Sequence, residues 1–312
     1  MKPELVMVCP MMEHVMAALD RDFTLHRLWQ AMDRDAFLAA AAGARGIAPI
    51  GFRGADAALM DALPKLEIIA CFGVGIDGVD LAHAAKRGLI VTNTPDVLND
   101  EVANTAVALL LAVTRQVCVG DRYVREGRWL EKPMWLTRTV VGRRLGILGL
   151  GRIGKAIARR AEGLGCEIAY HGRHEQPDQH YRYYPDLVAL ARDCDFLVVI
   201  CPGGEATRRL VNAEVIEALG PEGVLINVAR GSVVDEAALV EALVDGRLGG
   251  AGLDVFEDEP RVPEALFALD SVVLQPHAGS ATVETRRAMG DLVIENLRAH
   301  FTGLPVPTPF TA

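Results

Sequence analysis

The sequence has few of the features that mark membrane, secreted and nucleic-acid-binding proteins. It contains no uninterrupted run of about 18 apolar residues, and its N-terminus has no basic segment followed by an apolar run and a cleavage site. Basic residues do not predominate, because 41 Asp and Glu outnumber 32 Lys and Arg, for a net charge of -9. A protein that neutralises phosphate backbones normally has a basic face. We therefore expect a cytoplasmic protein with no membrane or nucleic-acid partner.

The sequence also has no Cys-x-x-Cys pair. Several of its six cysteines lie in apolar runs typical of strands or helices, which favours reduced, buried thiols over disulfides or a zinc site. We accordingly expect no bound metal. The cysteines are Cys9, Cys71, Cys118, Cys166, Cys194 and Cys201.

What the sequence does have is length and apolar content. A single core tends to stop growing at roughly 250 residues, so a chain of 312 residues favours two domains. With 51% apolar and 23% charged residues, it can bury two sizeable cores.

Two series of alternating strand and helix patterns predict parallel sheets. In the first series, apolar runs at 5–8, 47–52, 66–72 and 89–93 alternate with helical periods that include 33–42 and 81–87. A long helix is predicted at 99–127, followed by an irregular segment at 129–139 that contains Trp and Pro.

The second series predicts strands at 145–148, 167–170, 196–201, 224–228, 252–255 and 272–274. Helices are predicted at 152–164, 213–219, 236–244 and 283–301. The strands are nearly continuous Val, Ile and Leu runs, as strands covered on both faces require. The predicted fold class is α/β, with two doubly wound parallel-sheet domains.

A glycine-rich turn predicts dinucleotide binding. Gly149, Gly151 and Gly154 fit G-x-G-x-x-G, with Arg152 and Ile153 between them, directly after a predicted strand and at the start of a helix. Such a turn brings backbone N-H groups close to a pyrophosphate. After the next strand, Gly172 and Arg173 replace the acid that would bind the ribose of NAD, which favours NADP.

Three polar residues follow predicted strands of the second series, where ligands of open α/β sheets bind. Arg230 suits a carboxylate or carbonyl oxygen, His277 can donate a proton near neutral pH, and Glu259 could orient that histidine. Taken singly, each residue is as consistent with an ordinary loop position as with a catalytic role. Their combination with the glycine-rich turn indicates a catalytic site.

These segments resemble the D-isomer-specific 2-hydroxyacid dehydrogenase family over nearly the whole chain. The motifs are GVGIDGVD at 73–80, GLGRIG at 149–154, INVARGSVVDEAAL at 226–239, GLDVFEDEP at 252–260 and PHAGSAT at 276–282. The resemblance implies that Arg230 binds the substrate carboxylate and keto oxygen, that His277 is the general acid, and that Glu259 orients His277. It also implies that the Val74-Gly75 turn supplies N-H groups to the carboxylate.

The same resemblance implies a substrate-binding domain of residues 1–98 and 283–312, a dinucleotide-binding domain of residues 99–282, and a cleft between them. It also implies further cofactor contacts from Thr105, Cys201, Pro202, Thr207, Val228, Asp254 and Gly279.

Within the family, the chain is most similar to glyoxylate and hydroxypyruvate reductases and to plant-type hydroxyphenylpyruvate reductases. The segments that carry this similarity are KPMWL at 132–136, HGR at 171–173 and GSAT at 279–282. The similarity implies a homodimer in which Trp135 reaches the partner's active site, with Arg286 near the substrate. Trp135 as a packing residue only, an aromatic 2-keto acid as the substrate, and an NADP-sensing binding module of the same fold remain alternatives.

Overall fold

The computed structural model describes residues 2–51 and 54–311. Phe52, at the end of the run predicted at 47–52, lies outside the described residues. The chain divides into two compact units, Met1–Leu98 with Thr282–Ala312, and Asn99–Ala281.

The first unit contains a five-stranded parallel sheet in the order β2-β1-β3-β4-β5. Its strands are β1 (Glu4–Met7), β2 (Thr24–Arg27), β3 (Gly46–Ala48), β4 (Ile68–Ala70) and β5 (Ile90–Thr92). The N-terminal part of this unit also forms the helices α1 (Glu13–Asp22), α2 (Arg34–Ala40), α3 (Ala57–Asp61) and α4 (Leu81–Lys86).

The second unit contains a seven-stranded parallel sheet in the order β12-β11-β10-β9-β6-β7-β8. Its strands are β6 (Arg144–Leu148), β7 (Glu167–His171), β8 (Arg182–Tyr183), β9 (Phe196–Val199), β10 (Val224–Asn227), β11 (Gly250–Leu253) and β12 (Val272–Leu274). Its helices are α5 (Asn99–Thr114), α6 (Val117–Arg125), α7 (Arg152–Gly163), α8 (Leu187–Asp193), α9 (Ala213–Leu219) and α10 (Glu236–Val244). The predicted α/β class with two parallel sheets is thus confirmed.

The last helix, α11 (Val283–Phe301), returns the chain to the first unit. There Arg298 donates to Asp22 on α1 at 2.6 Å. Phe310 N donates to the carbonyl of Val91 at 2.8 Å, so the tail lies along the edge strand β5.

The prediction of one helix at 99–127 is wrong, because the helix is interrupted at Gln116. That residue has left-handed φ and ψ of 49° and 43°, and the two helices bend by 58° there. The carbonyl of Thr114 accepts from the N-H of Arg138 at 3.2 Å, in the irregular segment after α6. The Arg138 N-H thus provides a hydrogen-bond donor for the Thr114 carbonyl, which in a continuous helix would accept from an N-H of the next turn.

Side-chain caps explain where many helices begin. An Asp, Asn or Thr just before the helix accepts from N-H groups of the first turn, which would otherwise lack partners. The capped helices and their caps are α2 (Asp33), α3 (Asp56), α4 (Asp80), α8 (Asp186), α9 (Asn212), α10 (Asp235) and α11 (Thr282).

Throughout residues 2–51 and 54–311, no single helix is long and apolar enough to cross a membrane. The bent pair of α5 and α6 passes the same test together, by length and composition only.

Candidate active site

The glycine-rich turn lies between β6 and α7 in the second unit. Gly149 has a φ of 103°, which L side chains rarely adopt, and a Cβ on Gly154 would lie 2.2 Å from the carbonyl oxygen of Gly149. A Cβ on Gly151 would instead meet nothing within 4 Å. The turn is therefore tight where it packs on its own backbone and open at Gly151, which fits a bound pyrophosphate at the N-terminus of α7.

The position of this turn in the sheet also suits a ligand. Strand β6 lies between β9 and β7, the point where the order of the strands reverses. Ligands of open parallel sheets bind beyond the carboxyl ends of the strands at this point. Cys201 and Pro202 follow the neighbouring strand β9 and lie beside the turn, since a Cβ on Gly149 would approach Cys201 Cα to 2.8 Å.

His277 and Glu259 form a hydrogen-bonded pair in the loops after β12 and β11. His277 Nδ1 lies 2.8 Å from Glu259 Oε2, and the other carboxylate oxygen accepts from the N-H of Phe256 at 3.1 Å. Burial alone would raise the pKa of Glu259, but the hydrogen bond and charge of His277, the Phe256 N-H and the charge of Arg230 outweigh it. The pKa of Glu259 is therefore lowered, and its carboxylate is ionised at neutral pH.

Arg230 lies in the loop after β10, close enough for its charge to act on Glu259. Asn227 shapes this loop, because its Nδ2 donates to the carbonyl of Arg230 at 3.0 Å and its Oδ1 accepts from Ala229 N at 3.1 Å. Arg230, Glu259 and His277, predicted from separate segments, thus lie at one edge of one sheet.

Asp254 holds the loop that carries His277. Its carboxylate accepts from Ala278 N at 2.7 Å and from Gly279 N at 2.9 Å, and its carbonyl accepts from His277 N at 2.8 Å. Desolvation raises the pKa of Asp254, although these two N-H bonds oppose the shift. His277 itself has a φ of 54°, a left-handed conformation that these bonds keep in place.

The other predicted cofactor residues have structural contacts within the second unit. Thr105 Oγ1 donates to the carbonyl of Gly279 at 3.2 Å, and Thr207 Oγ1 donates to that of Pro202 at 2.7 Å. Val228 N donates to the carbonyl of Val199 at 3.2 Å. Direct contact of these residues with a cofactor stays a prediction.

A cavity of about 300 Å³ borders the His277–Glu259 pair. No pattern in the sequence predicted it, because its apolar wall combines residues from two loops and a strand end. Besides the pair itself, the main lining residues are Phe256, Pro260, Val262, Phe267, Leu274 and Pro276.

In the first unit, the Val74-Gly75 turn follows β4 and is fixed through its carbonyls. Asn93 Nδ2 donates to the carbonyl of Val74 at 3.0 Å, and Thr94 N donates to that of Gly73 at 2.9 Å. A trans peptide directs its N-H opposite to its C=O, so the N-H groups of Val74 and Gly75 point away from Asn93 and Thr94. Such an orientation suits the binding of an anion. Sequence reasoning missed these two positioning residues, although the strand-end rule that found Arg230 and His277 could have found them after β5.

Arg286 also lies near this turn in the first unit. Its guanidinium carbon is 5.6 Å from the centroid of the Phe72 ring, a cation–π contact that directs the arginine toward the chain just before Gly73.

Trp135 lies against its own unit and is 46% exposed. Its indole N-H donates to Gln116 Oε1, and its ring meets that of Tyr123 edge-on at 6.0 Å. Around it, Trp129, Leu130 and Leu136 are more exposed still. The segment therefore presents apolar surface.

Within the described part of the chain, no group of three or more His, Cys, Asp or Glu residues could hold a metal ion.

Comparison with known proteins gives consistent matches. The family profile described as "D-isomer specific 2-hydroxyacid dehydrogenase, NAD binding domain" matches residues 107–279. The hydroxyphenylpyruvate reductase of Plectranthus scutellarioides is 53% identical over 305 residues, and glyoxylate/hydroxypyruvate reductase A of Arabidopsis thaliana is 50% identical over 305 residues. Each match covers 97% of this chain and 97% of the relative.

A similar solved structure is that of the NADPH-dependent glyoxylate/hydroxypyruvate reductase of Sinorhizobium meliloti in complex with NADP and malonate. It has a TM-score of 0.92 and 46% identity, and the match covers 100% of this chain and 97% of that one. The strand-end residues, the glycine-rich turn and these full-length matches lead to one conclusion: the chain belongs to the D-isomer-specific 2-hydroxyacid dehydrogenases.

Proposed function

We propose that this enzyme reduces small 2-keto acids, glyoxylate and hydroxypyruvate in particular, to 2-hydroxy acids of D configuration with NADPH. The observation that carries the proposal is the 2.8 Å pair of His277 Nδ1 and Glu259 at a sheet edge shared with Arg230. A keto group needs a proton and a counter-charge at its oxygen when it accepts a hydride, and these residues can supply both.

Held at the glycine-rich turn of Gly149, Gly151 and Gly154, NADPH would supply the hydride, and the residues of the chain direct the proton. Because an ionised carboxylate only accepts hydrogen bonds, Glu259 holds the proton of His277 on Nδ1. This leaves Nε2 of the protonated ring to donate to the developing alkoxide, while Arg230 stabilises the negative charge on that oxygen. The proposal assigns the binding of the substrate carboxylate to Arg230 and to the Val74 and Gly75 N-H groups, with Arg286 as a further cation near the substrate.

The proposed preference for NADPH rests on the loop after β7. Gly172 has no side chain, so no carboxylate occupies that position, and Arg173 is exposed beside it. The similar S. meliloti enzyme is described as NADPH-dependent.

An aromatic 2-keto acid is a second candidate substrate. The apolar cavity of about 300 Å³ beside His277 could take a ring, and the P. scutellarioides relative is named a hydroxyphenylpyruvate reductase.

We further propose a homodimer formed through the second unit, with Trp135 closing the partner's substrate pocket. Support comes from the exposed apolar residues of the segment after α6, since large aromatic side chains on loops are enriched at interfaces.

We also propose that the enzyme acts in the cytoplasm. Support comes from the six free cysteines, five of which are buried. Burial raises the pKa of the Cys71 thiol to about 12, which keeps it protonated and unreactive.

The direct test is a steady-state panel of glyoxylate, hydroxypyruvate and hydroxyphenylpyruvate with NADPH and with NADH. We expect the highest kcat/KM for a small keto acid with NADPH. Higher efficiency with hydroxyphenylpyruvate would favour the aromatic alternative, and equal or better use of NADH would contradict the proposed cofactor choice.

Replacing His277 tests the general acid. His277→Asn should lower kcat by about 100-fold or more with little change in NADPH affinity, because the lost group acts only on the reacting oxygen. His180→Asn is the matched control, since it removes a histidine paired with a carboxylate, Glu162, on an exposed part of the surface. A His277→Asn variant with near wild-type turnover would exclude His277 as the proton donor.

Replacing Glu259 tests the pair through the pH profile. The lowered pKa of Glu259 means that its charge persists well below neutral pH, where it stabilises protonated His277. Glu259→Gln removes that charge, so the loss of reductase activity with rising pH should begin at lower pH. Glu162→Gln should leave the profile unchanged, and an unchanged profile in Glu259→Gln would remove Glu259 from the mechanism.

Replacing Trp135 tests its proposed contact with the substrate. Trp135→Ala should raise the KM for glyoxylate or hydroxypyruvate several-fold without weakening NADPH binding, because the lost ring would contact only the substrate. Trp129→Ala removes another exposed tryptophan of the same segment and serves as the control. Wild-type kinetics in a dimeric Trp135→Ala variant would leave Trp135 as a packing residue, and a fully active monomer would contradict the dimer itself.

A further inference from the structure

The loop after β7, residues 172–176, is tied to its unit at both ends. At its start, the Tyr183 hydroxyl donates to the carbonyl of Gly172 at 3.2 Å. At its end, Gln176 makes two bonds: its backbone N-H donates to the Tyr170 hydroxyl at 2.7 Å, and its Nε2 donates to the carbonyl of Leu150 at 2.8 Å. The loop therefore has a defined position, although Arg173 within it is exposed.

The second bond of Gln176 is informative because of where its acceptor lies. Leu150 is the residue between Gly149 and Gly151 in the glycine-rich turn. One side chain thus connects the turn that fits a pyrophosphate directly to the loop that carries Arg173.

The tyrosines beneath the loop make a rigid base for this connection. Tyr170 is fully buried, and its ring packs against that of Tyr183 with the centroids 5.3 Å apart. Because a buried hydroxyl is costly to leave without a partner, the bond from Gln176 N to Tyr170 also satisfies a group that water does not reach.

We propose that Gln176 is a positioning residue that sets the enzyme's preference for NADPH over NADH. The inference rests on the proposed function, because it concerns the 2′-phosphate that distinguishes NADPH. In NADPH, the adenosine ribose joins the pyrophosphate to the 2′-phosphate. The cation that pairs with the 2′-phosphate must therefore lie at a fixed distance from the glycine-rich turn that binds the pyrophosphate. Gln176 fixes that distance for Arg173. A forked arginine–phosphate contact depends strongly on such alignment.

NADH lacks the 2′-phosphate and gains nothing from the position of Arg173. Loss of the Gln176 bond should therefore act on one cofactor and spare the other. A residue that merely stabilises the fold would affect both cofactors alike.

Gln176→Met is the informative variant, because methionine keeps the length of the side chain but cannot donate to Leu150. Tyr170→Phe removes the acceptor at the other bond and gives a second, independent perturbation of the same loop. Gln179→Met is the matched control, since the Gln179 side chain donates to its neighbour Asp178.

The measurement is a fluorescence titration of each intact protein with NADPH and with NADH, without keto acid, together with Tm. For Gln176→Met we expect the Kd for NADPH to rise by about five- to tenfold, the scale of one lost hydrogen bond, and the Kd for NADH to change by less than about twofold. Tyr170→Phe should change the ratio of the two Kd values in the same direction, and Gln179→Met should leave it unchanged.

Two outcomes would contradict the role of Gln176 without affecting the proposed cofactor choice. One is a preference for NADPH that survives in both variants, and the other is an equal rise in both Kd values with a lowered Tm. A wild-type protein that binds NADH as tightly as NADPH would instead overturn the proposed cofactor choice, and this inference with it. Because no keto acid is present, a wrong substrate assignment would leave the result unaffected.

Discussion

Parallel pairing of three strands fixes where the reactive side chains lie. In the register of β10, β11 and β12, Asn227 pairs with Leu253, and Leu253 pairs with Leu274, so the three strands end level with one another. The chain beyond each strand then enters a loop at the same edge. Arg230, Glu259 and His277 are up to 47 residues apart in sequence, and pairing of the strands brings their loops to the same edge.

Two carboxylates at this edge have opposite environments and different roles. Asp254 is buried, its pKa is raised by desolvation, and both of its oxygens bind backbone N-H groups of the loop after β12. Glu259 has a lowered pKa because cationic partners outweigh its burial, and it faces the imidazole. Asp254 thus holds the loop that carries His277, and Glu259 pairs with the imidazole of that residue. Their different electrostatic environments give one carboxylate a structural role and the other a chemical role.

The sequence predicted those parts of the molecule that depend on local pattern. Helices α9, α10 and α11 begin and end where the sequence predicted them, because apolar periodicity and capping residues are local signals. The edge strands β2 and β8 were missed because they are short and partly exposed, and so lack apolar runs. The break at Gln116 was missed because the left-handed backbone there, and the bond from Arg138 to Thr114 beside it, arise only in the folded chain.

The candidate site divides in the same way. The positions of Arg230, Glu259 and His277 after predicted strands indicated that they belong to a site. Their individual roles came from the resemblance to the family. The same strand-end rule could have indicated Asn93 and Thr94. Their hydrogen bonds and those of Gln176 were not predictable, since each depends on a carbonyl or hydroxyl that only the folded chain brings within reach.

The discontinuous first unit has a consequence for biosynthesis. Asn99–Ala281 is one continuous stretch, so all of its strands are synthesised before α11 begins. The sheet of β1 to β5 lacks α11 and the tail that lies along β5 until Asn99–Ala281 has been translated. Domains generally fold as units during translation. The first unit can therefore complete its contacts only after the second unit has been translated, although its own sheet is translated before that unit.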